Sequence, residues 1–466
     1  MRRLILLLPL FVAATMSAQT LFDEMRQDPE LFGDNYVAYR TPAGTLSEAP
    51  EGYKVCYMSH YGRHGSRYLI GKRTYERAFE VLSEADAKGM LTPLGCRLMQ
   101  QLDTIRHDAY GHIEELTLRG AQQHRGIAHR MYQNFPELFG PNGKVDARSS
   151  VVIRCILSMA NEVAELQGLS PELPISMDAS QGDMYYICYE DKELKQQRKP
   201  KGSAADSAYT AFMHRHYSPT RLMNTLFTSE DYWKEHVKDA RNFVMDYIWK
   251  VAVDVQSTEL RHRMSLLDYF TPEELYNIWL IRNAGWYISH GPSPLNGGNQ
   301  IFYQRNLIRD IVNKADSCLA LIMEDGKTEK GAACTASRPL TASLRFGHEV
   351  VVIPTVCFLN LNGYGTQYQD LEELENAGWH DWRIFPMGSN IQIVFYSPLP
   401  ASPKGTGAAA SDKPILVKVL LNEEEATMPQ LTPVMGPYYK WEDLRRYCME
   451  KIEGYEQSRS QQENNE

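Results

Sequence analysis

Apolar and polar positions follow two periods along the chain. Runs with strand character fall at 52–58, 144–148, 391–397 and 414–421, and another leads up to Gly347. Ile391, Val394 and Phe395, and then Ile415, Val417, Val419 and Leu421, suit two strands joined by the Ala-, Gly-, Ser- and Pro-rich loop 401–412. Helical spacing dominates between the runs. It predicts helices over 74–88 with Gly89 as the stop, from Thr92-Pro93 to about Tyr110, over 121–134 behind a Thr117 N-cap, over 159–168 and over 303–323. Thr271-Pro272-Glu273-Glu274 opens another, with a cap, a first-position proline and a glutamate at the third position.

The pattern changes character between 174 and 299, which reads as a mainly helical, aromatic and locally basic lobe inserted into an α/β domain made of 19–173 and 300–456. Segment 21–49 reads as an extended lead-in packed on the outside, 325–337 as a polar loop, and 457–466 as a disordered polar tail. Residues 1–18 read as a cleaved secretory signal. Arg2 and Arg3 precede an apolar run too short to anchor, and Ser17-Ala18 offers a cut site. The mature protein is therefore expected to be exported, periplasmic or secreted, with no membrane anchor.

Composition narrows the function classes. With 43% hydrophobic and 23% charged residues the chain is ordinary globular material, large enough for two lobes. A formal net charge of -9 argues against nucleic-acid binding, whose footprint is basic. Local clusters still permit an anionic small-molecule substrate. The eight cysteines are scattered without a C-x-x-C, so no metal cluster is expected, and their pairing is open.

Candidate chemistry begins at Arg63-His64-Gly65-Ser66-Arg67, directly after the first strand-like run. Two guanidiniums four positions apart suit the oxygens of one phosphoryl group, and an imidazole between them can act as a nucleophile. Gly65 allows a tight turn that brings backbone N–H groups to an anion. Arg154 lies where a strand hands over to a helix. Taken alone it reads as a surface partner of Glu162 or Glu165. His348-Glu349 falls after the strand-like run 343–347, at the strand end where α/β proteins build sites. In the lobe, Lys192, Lys195, Arg198 and Arg215 either line a cleft for a multiply phosphorylated ligand or form a solvated face balanced by Glu190, Asp191 and Glu193.

The order of R-H-G-x-R, a middle arginine and a late His-acid pair, with the inserted lobe, resembles the histidine phosphatase superfamily, branch 2, the histidine acid phosphatases. Leu116-Thr117-Leu118-Arg119-Gly120 stands where that family has a Leu-Thr-x-x-Gly element. Arg154-Cys155-x-x-Ser158 and a glutamate beside the late histidine make it most similar to the bacterial multiple inositol polyphosphate phosphatases. The chain departs from that group's His-Ala-Glu, having His348-Glu349-Val350. Glu349 thus takes the place of the aspartate of the branch's familiar phytases, on a longer arm. The resemblance implies a phosphoglycerate mutase-like three-layer α/β domain with a central, mostly parallel sheet. It implies hydrolysis of phosphomonoesters such as phytate through a phosphohistidine, with no cofactor and no metal. His64 would be the nucleophile, Glu349 the proton donor, and Arg63, Arg67, Arg154 and His348 the phosphate ligands. Other readings are a broad acid phosphatase, a phosphomutase and a silent anion-binding protein. No obligate protein partner is implied.

Overall fold

The computed structural model describes residues 20–325, 339–399 and 413–463. The expected signal, most of the polar loop 325–337, the loop 401–412 and the last residues of the tail lie outside these residues.

Among the described residues the strands form one eight-stranded sheet in the order β3-β2-β4-β1-β5-β6-β7, with β8 paired to β6. These are β1 (Tyr53–Arg63), β2 (Val145–Ser149), β3 (Ile175–Asp178), β4 (Ala342–Gly347), β5 (Asn390–Pro398), β6 (Leu416–Leu421), β7 (Glu424–Glu425) and β8 (Tyr439–Lys440). β3, β2, β4 and β1 run parallel, whereas β5, β6, β7 and β8 add antiparallel pairs. A sheet covered on both faces needs apolar residues on both sides of its strands. Tyr57 and Tyr61 of β1 enter one core, and Met58 enters the other. Val417 and Val419 of β6 enter the first and Leu416 and Leu420 the second.

The main helices in chain order are α1 (Lys72–Asp86), α2 (Pro93–Asp108), α3 (Leu118–Asn134), α4 (Ile153–Leu169), α5 (Lys192–Gln197), α6 (Ala204–His216), α7 (Pro272–His290), α8 (Arg305–Asp325), α9 (Glu349–Phe358) and α10 (Trp441–Glu463). α3 and α4 cover one face of the sheet. Thr92, Thr117 and Thr271 cap α2, α3 and α7 through their side-chain oxygens, and Thr271 and Glu274 complete a capping box. Gly89, at φ +67, stands three residues past α1.

Several expectations change. The first strand runs on to Arg63, so the R-H-G-S-R motif starts inside the sheet. The α4 helix begins at Ile153, placing Arg154 in its first turn. Pro354 lies well inside α9 instead of in its first turn. Segment 174–299 first contributes β3 to the sheet's edge and only then becomes helical. Its apolar side chains merge with those of α1, α8 and α9 into one core. The tail is helical through Glu463 as the end of α10.

The lead-in is buried over 31–38 and external over 40–49. Pro29–Tyr36 is a 3-10 segment whose Leu31 and Phe32 are buried. Asp34 within it has no exposure and pairs with Arg282 of α7 at 2.8 Å. A buried carboxylate needs such a partner, and this one comes from 248 positions away.

Candidate active site

Three adjacent parallel strands deliver the site at their C-terminal ends. Arg63, the last residue of β1, stands opposite Gly347, the last of β4, and the His64 N–H donates to the Gly347 carbonyl at 2.9 Å. Ser149 ends β2 beside Phe346 of β4, and the Ser150 N–H donates to the Phe346 carbonyl. The Arg63-to-Arg67 stretch, Arg154 and His348-Glu349 are thereby brought to one place. The parallel edge-to-edge pairing does this, since each strand then exits on the same side.

His64 has no exposure. Its Nδ1 lies 2.9 Å from the carbonyl of Gly65. A carbonyl only accepts, so Nδ1 carries the proton and the neutral ring presents a lone pair at Nε2. Burial, with the charges of Arg63 and Arg154, holds the imidazole well below its ordinary range. The ring is therefore neutral, with its lone pair at Nε2, as an attacking nitrogen must be.

Around that nitrogen stand three guanidiniums. Arg63 is anchored through Nη1 to the carbonyls of Asn35 at 2.8 Å and Phe385 at 2.7 Å. Its Nη2 has no hydrogen-bond partner in the protein. Arg67 is 2% exposed, donates from Nη1 to the Tyr68 carbonyl, lies over the Tyr36 ring and leaves Nε unpartnered. Arg154 meets Glu114 at 3.3 Å and likewise leaves Nε unpartnered. Its expected surface partners are otherwise engaged, Glu162 with His124 and Glu165 with His129. Buried donors without acceptors are costly, so three guanidiniums with open donors around one imidazole mark an anion site.

His348 is 5.7 Å from His64, ring to ring, and its Nε2 lies 3.2 Å from Ser150 Oγ. Burial, reinforced by Arg154, Arg63 and Arg67, lowers it to about 4. Glu349 opens α9 with Oε2 at 3.2 Å from Arg63 Nε and 3.6 Å from His64 Nε2. Burial alone would raise this carboxyl. The charges of Arg63 and Arg67 and its contact with His64 override that and hold it well below the carboxylate range. His64, His348 and Glu349 could in principle ligate a metal. The three guanidiniums make the potential there positive and suit an anion instead.

The loop 64–67 is set by its neighbours α3 and α4. The Gly65 N–H donates to Ser158 Oγ, and the Ser66 N–H donates to Gln123 Oε1. Thr117 donates to the Ser66 carbonyl through both its N–H and its hydroxyl. A Cβ on Gly120 would stand 2.2 Å from the Ser66 carbonyl oxygen, and one on Gly65 would stand 2.5 Å from that of Gly120. Two glycines thus permit the helix to press against the loop.

Of the lobe's basic residues, Lys192 and Lys195 are exposed on α5, and Lys195 pairs with Glu190 at 2.8 Å. Arg215 is exposed and pairs with Glu372. These follow the solvated-face reading, and the cleft reading is withdrawn for them. Arg198 differs. It turns inward over the Tyr303 ring, 4.5 Å from its centroid. The anchoring carbonyls of Asn35 and Phe385 carry no side-chain signal, so no motif could have revealed them.

An α/β sheet with a buried neutral histidine ringed by guanidiniums at its strand ends, and a carboxylate at the mouth, defines a protein built to handle phosphoryl groups. The model of the histidine phosphatase superfamily (branch 2) matches residues 62–422, and the chain belongs to that family and is a phosphatase. No curated protein matches the sequence. Among solved structures, the Bifidobacterium longum multiple inositol polyphosphate phosphatase in complex with phosphate is similar at 17% identity and TM-score 0.75, covering 90% of this chain and 98% of that one. Its complex with inositol hexasulfate gives 17% identity and TM-score 0.72, covering 89% and 96%. The phytase from D. castellii gives 14% identity and TM-score 0.56, covering 91% and 85%.

Proposed function

We propose that the protein is an exported phosphomonoesterase acting on inositol polyphosphates such as phytate, through a phosphohistidine at His64 and without a metal. The observation that carries the reading is the His64 tautomer, with Nδ1 tied to the Gly65 carbonyl and Nε2 open amid Arg63, Arg67 and Arg154. His64 Nε2 attacks phosphorus in line, and the P–O bond to the ester oxygen breaks as the N–P bond forms. The guanidiniums and His348 hold the non-bridging oxygens, where charge is spread in the transition state.

In the resting site Glu349 occupies donors that a phosphate would use. An arriving phosphoryl dianion competes for Arg63 and neutralises its charge. With the pull of Arg63 offset, burial weighs more on Glu349, which takes up a proton from solvent and passes it to the leaving alkoxide. In the second step the same carboxylate takes a proton from the water that attacks the phosphohistidine. The two solved structures of a multiple inositol polyphosphate phosphatase support the substrate class, as does the inward Arg198.

The test is phosphate release from phytate by the mature protein in EDTA, beside His64→Ala and a simple aryl phosphate. EDTA-resistant release from phytate, lost by at least a thousandfold in the variant with its circular dichroism intact, is expected. Turnover of the aryl phosphate alone would make it a general acid phosphatase. Near-wild-type activity in His64→Ala would overturn the mechanism.

A further inference from the structure

The end of α7 carries polar groups that the transfer mechanism leaves unused. His290 is the last residue of that helix and is 7% exposed, yet neither ring nitrogen has a hydrogen-bond partner in the protein. One turn earlier, Trp286 packs on it at 5.2 Å between ring centroids, with its indole N–H also unpartnered. Three residues later, Ser293 is fully buried with an unpartnered hydroxyl. A fold does not gather such groups in one corner without something to meet them.

The corner adjoins the site described above. Trp286 stacks edge-on with Phe385 at 5.4 Å, and the Phe385 carbonyl is an anchor of Arg63. The charges of Arg198 and Glu349 both act on the His290 ring. Asn296 ties the pieces together, its amide donating to the carbonyls of Arg198 at 2.9 Å and Ile288 at 2.5 Å. The Arg198 segment and the last turn of α7 are thus held in fixed relation.

The corner's chemistry selects its ligand. A guanidinium, an imidazole, an indole N–H and a hydroxyl all donate, and the guanidinium repels cations. We propose that His290 and Arg198, with Trp286 and Ser293, form a second anion subsite that takes a non-reacting phosphate of the substrate while a neighbouring phosphate sits at His64. His290 is then a specificity-determining residue that favours polyphosphorylated over monophosphorylated substrates. This rests on the phosphomonoesterase reading and adds to it the residues that distinguish one phosphate from several.

The test uses the full mature protein, His290→Gln, His290→Ala and Arg198→Gln. Two quantities are read for each. The first is the ratio of kcat/KM on phytate to kcat/KM on an aryl monophosphate. The second is the inhibition constant of inositol hexasulfate, an inert polyanion, against aryl phosphate hydrolysis. The expected result is a tenfold or greater fall in the ratio and a tenfold or greater rise in the inhibition constant for each variant. A fall in both substrates together, with the ratio held, would show a general structural or catalytic role and overturn the subsite. An inhibition constant within twofold of wild type in His290→Gln and Arg198→Gln would do the same, while wild-type phytate turnover would leave the proposed function standing. If wild type fails on phytate but the inhibition constant rises in the variants, the polyanion subsite stands and the inositol phosphate reading falls.

Discussion

At the scale of single residues, the proposed mechanism asks one carboxylate to serve twice. Glu349 rests against Arg63 and His64, and their charges keep it ionised. An ionised carboxylate cannot protonate a leaving group, so its acid role depends on the substrate displacing it. Glu349→Gln keeps the size and removes the proton. The expected effect is a loss of about 10²–10³ in kcat on an alkyl phosphate, in line with general-acid contributions, and a much smaller loss on an aryl phosphate, whose leaving oxygen needs little help. Steady-state kinetics on the two substrates decide it, and equal losses would remove Glu349 from the acid role. Of the residues involved, His64, Arg63, Arg67, His348 and Glu349 were legible in the sequence because each sits in a short motif at a strand end, whereas Arg154, in the first turn of α4, was legible only beside them and through the resemblance. His290 was not, because a lone histidine before Gly-Pro has the same local pattern whether it faces a ligand or a core.

At the scale of elements, what places the loop is the fit of α3 against it. The Ser66 carbonyl accepts from Thr117 twice, and Gly120 leaves no room for a side chain. Gly120→Ala must drive the helix and the loop apart, at a cost of about 1–3 kcal/mol from overpacking. The expected outcome is a lower melting temperature together with at least a tenfold loss of kcat/KM, since a displaced nucleophile loses alignment. Loss of stability with full activity would show that the contact is structural only. A second pair of elements is joined by acids. Asp381 is fully buried and accepts from the Trp279 indole N–H at 2.8 Å, while its other carboxyl oxygen has no hydrogen-bond partner in the protein. Burial and then the Asp34 charge push the Asp381 carboxyl well above its ordinary range. Its proton is held in the folded state and released on unfolding, so its contribution to stability falls as pH rises above about 4, the unfolded value. Asp381→Asn mimics the protonated acid and removes that slope. Thermal melts should show the variant gaining on wild type as pH rises from 4 to 8, and parallel curves would mean that Asp381 does not hold its proton in the folded state. Caps and helix starts were legible because Thr, Pro and Glu act within a few positions. The buried path of the lead-in was not, since Asp34 and Arg282 make sense of each other only after folding.

At the scale of the whole molecule, the last helix clasps the lobe to the sheet. α10 runs to Glu463 although its composition is polar, because its partners lie on other elements. Tyr455 stacks on Phe302 at 4.1 Å, Glu456 pairs with Arg309 at 2.5 Å, and Arg459 meets Glu193 and Asp191 near the start of α5. Local composition cannot show such contacts, and for that reason the segment reads as a tail. The clasp bears on function, because α5 leads directly into Arg198 and Arg305 at the head of α8 also pairs with Asp191 at 2.7 Å. Loosening α10 should therefore free the segment that carries Arg198 while the strand ends that hold His64 stay in place. Tyr455→Ala removes the stack and leaves the charges, at a cost of roughly 3–5 kcal/mol for a large buried aromatic, less here because the ring is at the edge of the core. The expected signature is a lowered melting temperature and a KM for phytate that rises several-fold more than the KM for an aryl phosphate. Equal rises on both substrates would mean that the lobe and the sheet move as one body, so that the clasp serves stability alone. The unequal result would make α10 the element that holds substrate choice in register with the chemistry.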